Sequence, residues 1–328
     1  MKIRTNHYIN SKSFFIILIT IFFSLSLGLG LYGYGHDFYG TYRINNITTW
    51  GAWNDKLGYL ISTLTLFNIH IGVYLVSGIL AASTGVLLKN FLLKRKINSI
   101  YFFIILYIIT LHTWPIIMST SNAMRQGIAM SFIFLYLSCY DNKLDIKSLL
   151  FISLSILTHN SGLFFLFIFL NTLIIKKISD YFRSDYFRSD QYKRSFYFIY
   201  GIIIFFSTFV LLKIFRGSGE ATHIIGKDFR IPFLLISLTY IVILTYKLKF
   251  LELYNINLFI YIFSFVAPAV FFSGLNWQYE RLNMMVVILY ILGFSTLLTK
   301  KISQYFLIAS LSSLLLLTIY TGMYKSLI

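Results

Sequence analysis

Long apolar runs, separated by short polar segments, dominate the chain. About 20 apolar residues are enough for a helix to cross a bilayer. The pattern therefore predicts an all-α polytopic membrane protein with about ten transmembrane helices, forming one integral membrane domain over residues 1–328. The predicted spans are residues 14–33, 69–88, 97–117, 121–140, 195–215, 232–250, 258–273, 283–299 and 303–321.

One more apolar stretch, residues 148–175, lies between two segments that the alternation of spans assigns to the cytoplasm. The chain must therefore enter the membrane there and return to the same side. Residues 158–162 (THNSG) have the composition of a turn and divide the stretch into two arms of about a dozen residues. At about 1.5 Å per residue neither arm crosses ~30 Å. We expect a short, re-entrant-like helical hairpin with His159 at its tip.

Composition and charge support a membrane protein and indicate its orientation. The chain is 58% hydrophobic and 12% charged, which excludes a water-soluble fold. Its net charge of +17 would suggest nucleic acid in a soluble protein. With the N-terminus in the cytoplasm, however, most basic residues fall on the inner side, as the positive-inside rule requires. We therefore expect a basic cytoplasmic loop at 176–194, main extracytoplasmic loops at 34–68 and 216–231, and no nucleic-acid partner.

Three arginines are placed against this trend, at the outer ends of predicted helices. Arg125 follows residues 119–122 (STSN), which favour a helix N-cap; Arg230 just precedes Pro232, and Arg281 opens a late span. A cation at a helix N-terminus opposes the helix dipole. An anionic ligand such as phosphate or pyrophosphate, bridging arginines and helix amides, explains the placement. The alternative is that these side chains reach lipid headgroups.

The outer segments also hold candidate bases and sugar-binding residues. A neutral His159 could take a proton from a hydroxyl, or it could be a packed, hydrogen-bonded side chain; His223 and Asp37 are competing bases. All four tryptophans fall in outer segments, which fits stacking on a sugar ring or anchoring at headgroups. No paired-carboxylate motif and no Gly-rich nucleotide loop are present, so we expect neither a metal nor a cofactor. The predicted substrate-binding residues are Asp37, Arg43, Arg216, His223, Arg230, Trp277 and Glu280.

Four short motifs together resemble one family. They are residues 35–39 (GHDFY), 122–129 (NAMRQGIA), 157–162 (LTHNSG) and 279–281 (YER). With the span pattern, they resemble the Wzy-type bacterial polysaccharide polymerases, in particular the EpsG-like branch. Residues 55–59 (DKLGY) depart from the Glu-Pro-Gly-like run expected there.

The resemblance implies a reaction and its partners. A growing glycan on undecaprenyl pyrophosphate would be transferred to a lipid-linked repeat unit, on the outer face of the bacterial cytoplasmic (inner) membrane. Expected partners are undecaprenyl-pyrophosphate-linked oligosaccharides, membrane lipids and a chain-length regulator protein. Arg125 and Arg281, with Arg230 or Arg216, would stabilise the departing pyrophosphate, and His159 would be the base.

Two alternatives stay open. One is another polyprenyl-phosphate-dependent glycosyltransferase or ligase, with Asp37 as the base. The other is a flippase or transporter of lipid-linked oligosaccharides. Transporters usually carry polar residues near the membrane midplane, whereas most spans here are apolar through their centres, which favours chemistry at the outer surface.

Overall fold

A computed structural model describes residues 69–121, 123–139, 146–159, 161–182, 190–215, 230–253 and 255–320. These ranges contain helices and no strand, so the predicted all-α class is confirmed for them. The helices are α1 (Ile69–Lys94), α2 (Ile100–Leu111), α3 (Trp114–Ser121), α4 (Met124–Cys139), α5 (Ile146–Thr158), α6 (Ser161–Phe182), α7 (Asp190–Phe215), α8 (Arg230–Tyr246), α9 (Leu248–Leu253), α10 (Asn255–Phe272), α11 (Asn276–Thr296) and α12 (Lys300–Tyr320).

Several of these helices are long and apolar enough to cross a membrane. Within the described ranges there are five, namely α1, α6, α7, α10 and α12, or six if α2 and α3 form one broken span. The protein is thus a membrane protein, but about ten crossings are not confirmed. The first predicted span, residues 14–33, and the predicted loop 34–68 lie outside the described residues.

The predicted span 97–117 is broken rather than continuous. Helix α2 ends at Leu111, α3 begins at Trp114, and the two helices differ in direction by 60°. The break is held by local hydrogen bonds: Thr113 Oγ1 donates to the carbonyl of Thr110 at 2.7 Å. The backbone N–H of Trp114 donates to Thr318 Oγ1 at 2.6 Å instead of to the preceding helix. A straight helix over this run was therefore a wrong prediction.

The stretch predicted as a hairpin consists of two helices of unequal length, α5 and α6. Helix α5 is 13 residues long, as expected for a short arm, and the chain breaks at His159, as expected for the tip. Helix α6, however, has 22 residues, of which Ser161–Ile178 could cross a bilayer. The helix continues through Lys176 and Lys177, since lysine favours helix and a charge does not end one. The prediction of two short arms is wrong for the second arm.

The helices form two compact units. The first holds α1–α5, the first two residues of α6 and most of α12. Within it α1 packs on α4, α4 packs on α5, and α3 contacts both α1 and α4. Hydrogen bonds between helices fix these contacts: Tyr107 donates to the carbonyl of Ala81 at 2.8 Å, and Asn90 Nδ2 donates to that of Ser138 at 3.2 Å.

The second unit holds most of α6 together with α7–α11. Its central helix is α10, which is buried and contacts α7, α8, α9 and α11. A satisfied polar network fixes its core. Asn257 accepts from Tyr240 at 2.9 Å and donates to Thr296 at 2.8 Å. Tyr290 shares hydrogen bonds of 2.9 Å with Ser237 and Ser264. Because buried polar groups without partners are costly, this network specifies how α8, α10 and α11 meet.

Candidate functional site

Arg125 lies at the junction of α3 and α4. Three residues of the predicted N-cap run, 119–121, form the end of α3 instead, and Asn122 lies outside the described residues. Ser119 Oγ donates to the carbonyl of Pro115 at 2.7 Å, and Thr120 Oγ1 donates to that of Ile117 at 2.6 Å. Helix α3 ends at Ser121, four residues before Arg125, and its last carbonyls place partial negative charge near the start of α4. The cation is therefore less opposed there than the sequence pattern indicated.

Gly127 permits the close approach of α3 to this junction. A Cβ atom built at Gly127 would collide with the backbone carbonyl oxygen of Ser119. The backbone N–H of Ala123 donates to the carbonyl of Met118 at 2.8 Å, which closes the turn between the two helices. The side chain of Arg125, half-buried, starts from this tightly packed turn. Its backbone position is consequently set by α3.

His159 lies between α5 and α6, and its ring is oriented by Ser161. The Ser161 backbone N–H donates to His159 Nδ1 at 3.0 Å, and the Ser161 hydroxyl is 2.8 Å from the same nitrogen. A backbone amide can only donate, so Nδ1 is the accepting nitrogen of a neutral ring. The proton of that ring is therefore on Nε2, which makes His159 a hydrogen-bond donor at Nε2.

The turn that holds His159 is as tight as the turn that holds Arg125. The backbone N–H of Gly162 donates to the carbonyl of His159 at 2.8 Å. A Cβ atom at Gly162 would lie 2.5 Å from the backbone nitrogen and Cα of Ile156. The start of α6 is therefore folded closely against the end of α5, and the donors of Ser161 are fixed relative to the imidazole.

The structure brings Arg125 and His159 to the same end of one helix pair. Ser155 Oγ donates to the carbonyl of Ala129 at 3.3 Å, which sets the register of α5 against α4. Two packed helices joined by so short a connection run antiparallel. Arg125 precedes Ala129 by one helical turn and His159 follows Ser155 by one turn. We term this end of α4 and α5, with Arg125, His159 and Ser161, the Arg125–His159 end.

A second group of predicted residues lies in the other unit, at the beginnings of α8 and α11. The hydroxyl of Tyr279 donates to the carbonyl of Arg230 at 3.3 Å, which joins the first turns of these helices. Glu280 and Arg281 follow directly in α11 and are half-buried. Arg281 does not open its helix as predicted, because α11 begins at Asn276; the polar residues before the apolar run are helical too.

Two residues near these sites, Asn283 and Ser161, were not among the site residues predicted from the sequence. Asn283 follows the α11 group by one turn, and its side chain is fully buried; a lone asparagine in an apolar run carries no signal of its own. Ser161 was also missed, although its position two residues after a predicted turn histidine is typical of local side-chain contacts with the backbone.

Other predicted site residues are not described. Asp37, Arg43, Arg216 and His223 lie outside the described residues, and Trp277 is placed only as part of the first turn of α11. In the part of the chain that the structure covers, no three His, Cys, Asp or Glu side chains are grouped to hold a metal ion.

Comparisons with known proteins add no family to this picture. No family model, curated protein or solved structure matches this chain. The resemblance to polysaccharide polymerases therefore depends on the short motifs alone, and function must be argued from the chemistry of the residues.

Proposed function

We propose that this protein is a membrane glycosyltransferase of the polysaccharide-polymerase type, which joins undecaprenyl-pyrophosphate-linked oligosaccharide units. We place the reaction on the extracytoplasmic face of the bacterial cytoplasmic membrane, with the N-terminus inside. The observation that carries the proposal is the Arg125–His159 end. A guanidinium and a neutral imidazole donor, both on rigidly packed turns, lie at one end of one helix pair.

This arrangement suits a pyrophosphate leaving group. In the proposed reaction a sugar hydroxyl attacks the anomeric carbon of the donor, and the bond from that carbon to the pyrophosphate oxygen breaks. The departing oxygen keeps the electron pair, so negative charge grows on the pyrophosphate. Donors fixed in advance around such charge stabilise the transition state, and Arg125 supplies bidentate hydrogen bonds to phosphate oxygens.

The tautomer of His159 supports a role for this residue beside Arg125, at the leaving group. Since Nδ1 accepts from Ser161, the neutral ring donates from Nε2. We propose that this N–H binds a pyrophosphate oxygen alongside Arg125. The base that takes the proton of the acceptor hydroxyl is then another group, and Asp37 and His223 are the candidates that the sequence offers.

Deletion of the gene in its host tests the proposal. The surface polysaccharide of the deletion strain should run on a gel as a single repeat unit on its lipid core, without the ladder of longer chains. Restoring the gene should restore the ladder. An unchanged ladder in the deletion strain would refute the proposed function, and loss of even the single unit would favour the ligase or flippase alternatives.

A further inference from the structure

Asn283 in α11 is buried and has one accepting atom without a partner. The side chain has 0% exposure, and its Nδ2 donates to the carbonyl of Tyr279 at 2.9 Å. Its Oδ1 is buried, and no donor within the described residues reaches it. A buried polar atom left in this way costs free energy, and native proteins usually provide it with a partner.

The orientation of this amide is fixed by its neighbour. The Tyr279 carbonyl can only accept, so the atom of Asn283 that faces it must be the nitrogen. Oδ1 is therefore the atom in need of a donor. Asn283 also lies three residues after Glu280, which makes the two side chains neighbours on the helix surface.

Gln278, earlier in the same helix, adds a second acceptor of the same kind. Its Oε1 is likewise buried without a hydrogen bond to the described residues. A phosphate group carries acceptors and satisfies neither oxygen. A hydroxyl group can donate to an oxygen of this kind, and the neutral amides of Asn283 and Gln278 suit an uncharged donor better than a cation.

We propose that Asn283 is a substrate-recognition residue, whose Oδ1 accepts a hydrogen bond from a sugar hydroxyl of the lipid-linked oligosaccharide. This inference rests on the proposed function and names the part of the substrate that the beginning of α11 binds. Because Oδ1 is closed to water in this structure, side chains at this end of α11 must move for the sugar to reach it. Changes in side-chain rotamers are common when proteins bind their ligands.

Asn257 provides a control of the same residue type in the same unit. It is also fully buried, but its amide is satisfied on both sides, by Tyr240 and by Thr296. Asn257→Leu should therefore destabilise the protein and lower its melting temperature. Asn283→Leu gives up one local hydrogen bond and removes an unpartnered oxygen, so the melting temperature should remain within about 2 °C of the parent.

The test measures binding of two radiolabelled lipids to protein in nanodiscs of phosphatidylethanolamine and phosphatidylglycerol. One is the lipid-linked oligosaccharide extracted from the host, and the other is undecaprenyl pyrophosphate, which has no sugar. Maltoside detergents are left out because they carry hydroxyl groups. Asn283→Leu should bind the lipid-linked oligosaccharide about tenfold more weakly than the parent, the loss expected for one hydrogen bond. It should bind undecaprenyl pyrophosphate as the parent does.

A second variant, Asn283→Asp, keeps an accepting oxygen. When protonated, the new carboxyl group donates to the Tyr279 carbonyl through its hydroxyl and retains its carbonyl oxygen as the acceptor. Its affinity for the oligosaccharide lipid should therefore stay within about threefold of the parent. Equal binding of the oligosaccharide lipid by the parent and Asn283→Leu would overturn the inference, as would a loss that is the same for both lipids.

Deletion of the gene separates the two proposals. An unchanged polysaccharide ladder in the deletion strain refutes the proposed polymerase function. The difference in lipid binding between the parent and Asn283→Leu tests sugar recognition by Asn283 and does not depend on the ladder.

Discussion

Nδ1 of the His159 imidazole accepts a hydrogen bond from the backbone N–H of Ser161. This contact distinguishes two chemical roles for the ring, a hydrogen-bond donor at Nε2 and a base. A donor at Nε2 can be imitated by glutamine, whose side-chain amide reaches a similar position and carries N–H groups. A base cannot be imitated in this way. Residue identity alone predicted a reactive histidine; the tautomer depends on the backbone of the following turn, which the sequence does not display.

His159→Gln should therefore keep transfer activity within about tenfold of the parent, while His159→Ala should lose about 100-fold. Initial rates of transfer, measured at equal amounts of membrane-inserted protein, provide the comparison. Equal loss in both variants would contradict the donor role and return the base role to His159.

Arg125 should be needed for activity and not for folding, because its side chain is half-buried at the end of the α4–α5 pair rather than in the core. Arg125→Ala should abolish the polysaccharide ladder at normal protein levels. Arg125→Lys should lower transfer by at least about tenfold, since lysine keeps the charge but loses the bidentate geometry. Quantitative blotting of membranes beside the polysaccharide gel checks both; a fall in protein level that matches the fall in ladder would indicate a structural role.

At the scale of elements, α3 and α4 can approach closely because Gly127 in α4 has no side chain. Gly127→Ala places a methyl group against the carbonyl of Ser119, a backbone atom that cannot move aside. We expect it to destabilise the protein by about 1–3 kcal/mol, the usual range for overpacking. Thermal denaturation in detergent, followed as the fraction that remains monodisperse, measures the change.

Gly78 in α1 is the matched control, because a Cβ atom there would meet no atom within 4 Å. Gly78→Ala should leave stability unchanged or raise it by about 0.5–1 kcal/mol, since alanine favours helix over glycine. If both substitutions lowered the melting temperature alike, the special role of Gly127 in the α3–α4 contact would be wrong.

The elements also show what the apolar pattern could and could not predict. The runs located helices because roughly 20 consecutive apolar residues leave few other structures in a membrane. They did not locate the break between α2 and α3, because an apolar run can continue across a bend. The sequence signal for this bend is Pro115 in the first turn of α3, which cannot continue a preceding helix, and Thr113 and Thr318 form hydrogen bonds with the backbone there. The length of α6 was missed for a different reason, since Lys176 and Lys177 end the apolar run while the helix continues through them into the segment predicted as a loop.

At the scale of the whole molecule, the distribution of charge predicts an orientation that can be measured directly. In a Cys139→Ala background, Asn98→Cys lies in the turn between α1 and α2, exposed, on the side assigned to the cytoplasm. Ser218→Cys lies in the segment assigned to the outside. A membrane-impermeant maleimide added to intact spheroplasts should label Ser218→Cys and should label Asn98→Cys only after lysis. The reverse pattern would place the proposed site on the cytoplasmic side.

The most direct test of polymerisation uses purified protein in liposomes with the lipid-linked repeat unit extracted from the deletion strain. We predict that longer lipid-linked chains form without nucleotide sugars and in the presence of a metal chelator, and that undecaprenyl pyrophosphate without sugar is released as they form. The Arg125→Ala protein should form none at the same protein density. Repeat units that remain single with the parent protein, or that are only moved across the bilayer, would contradict the proposed polymerase activity.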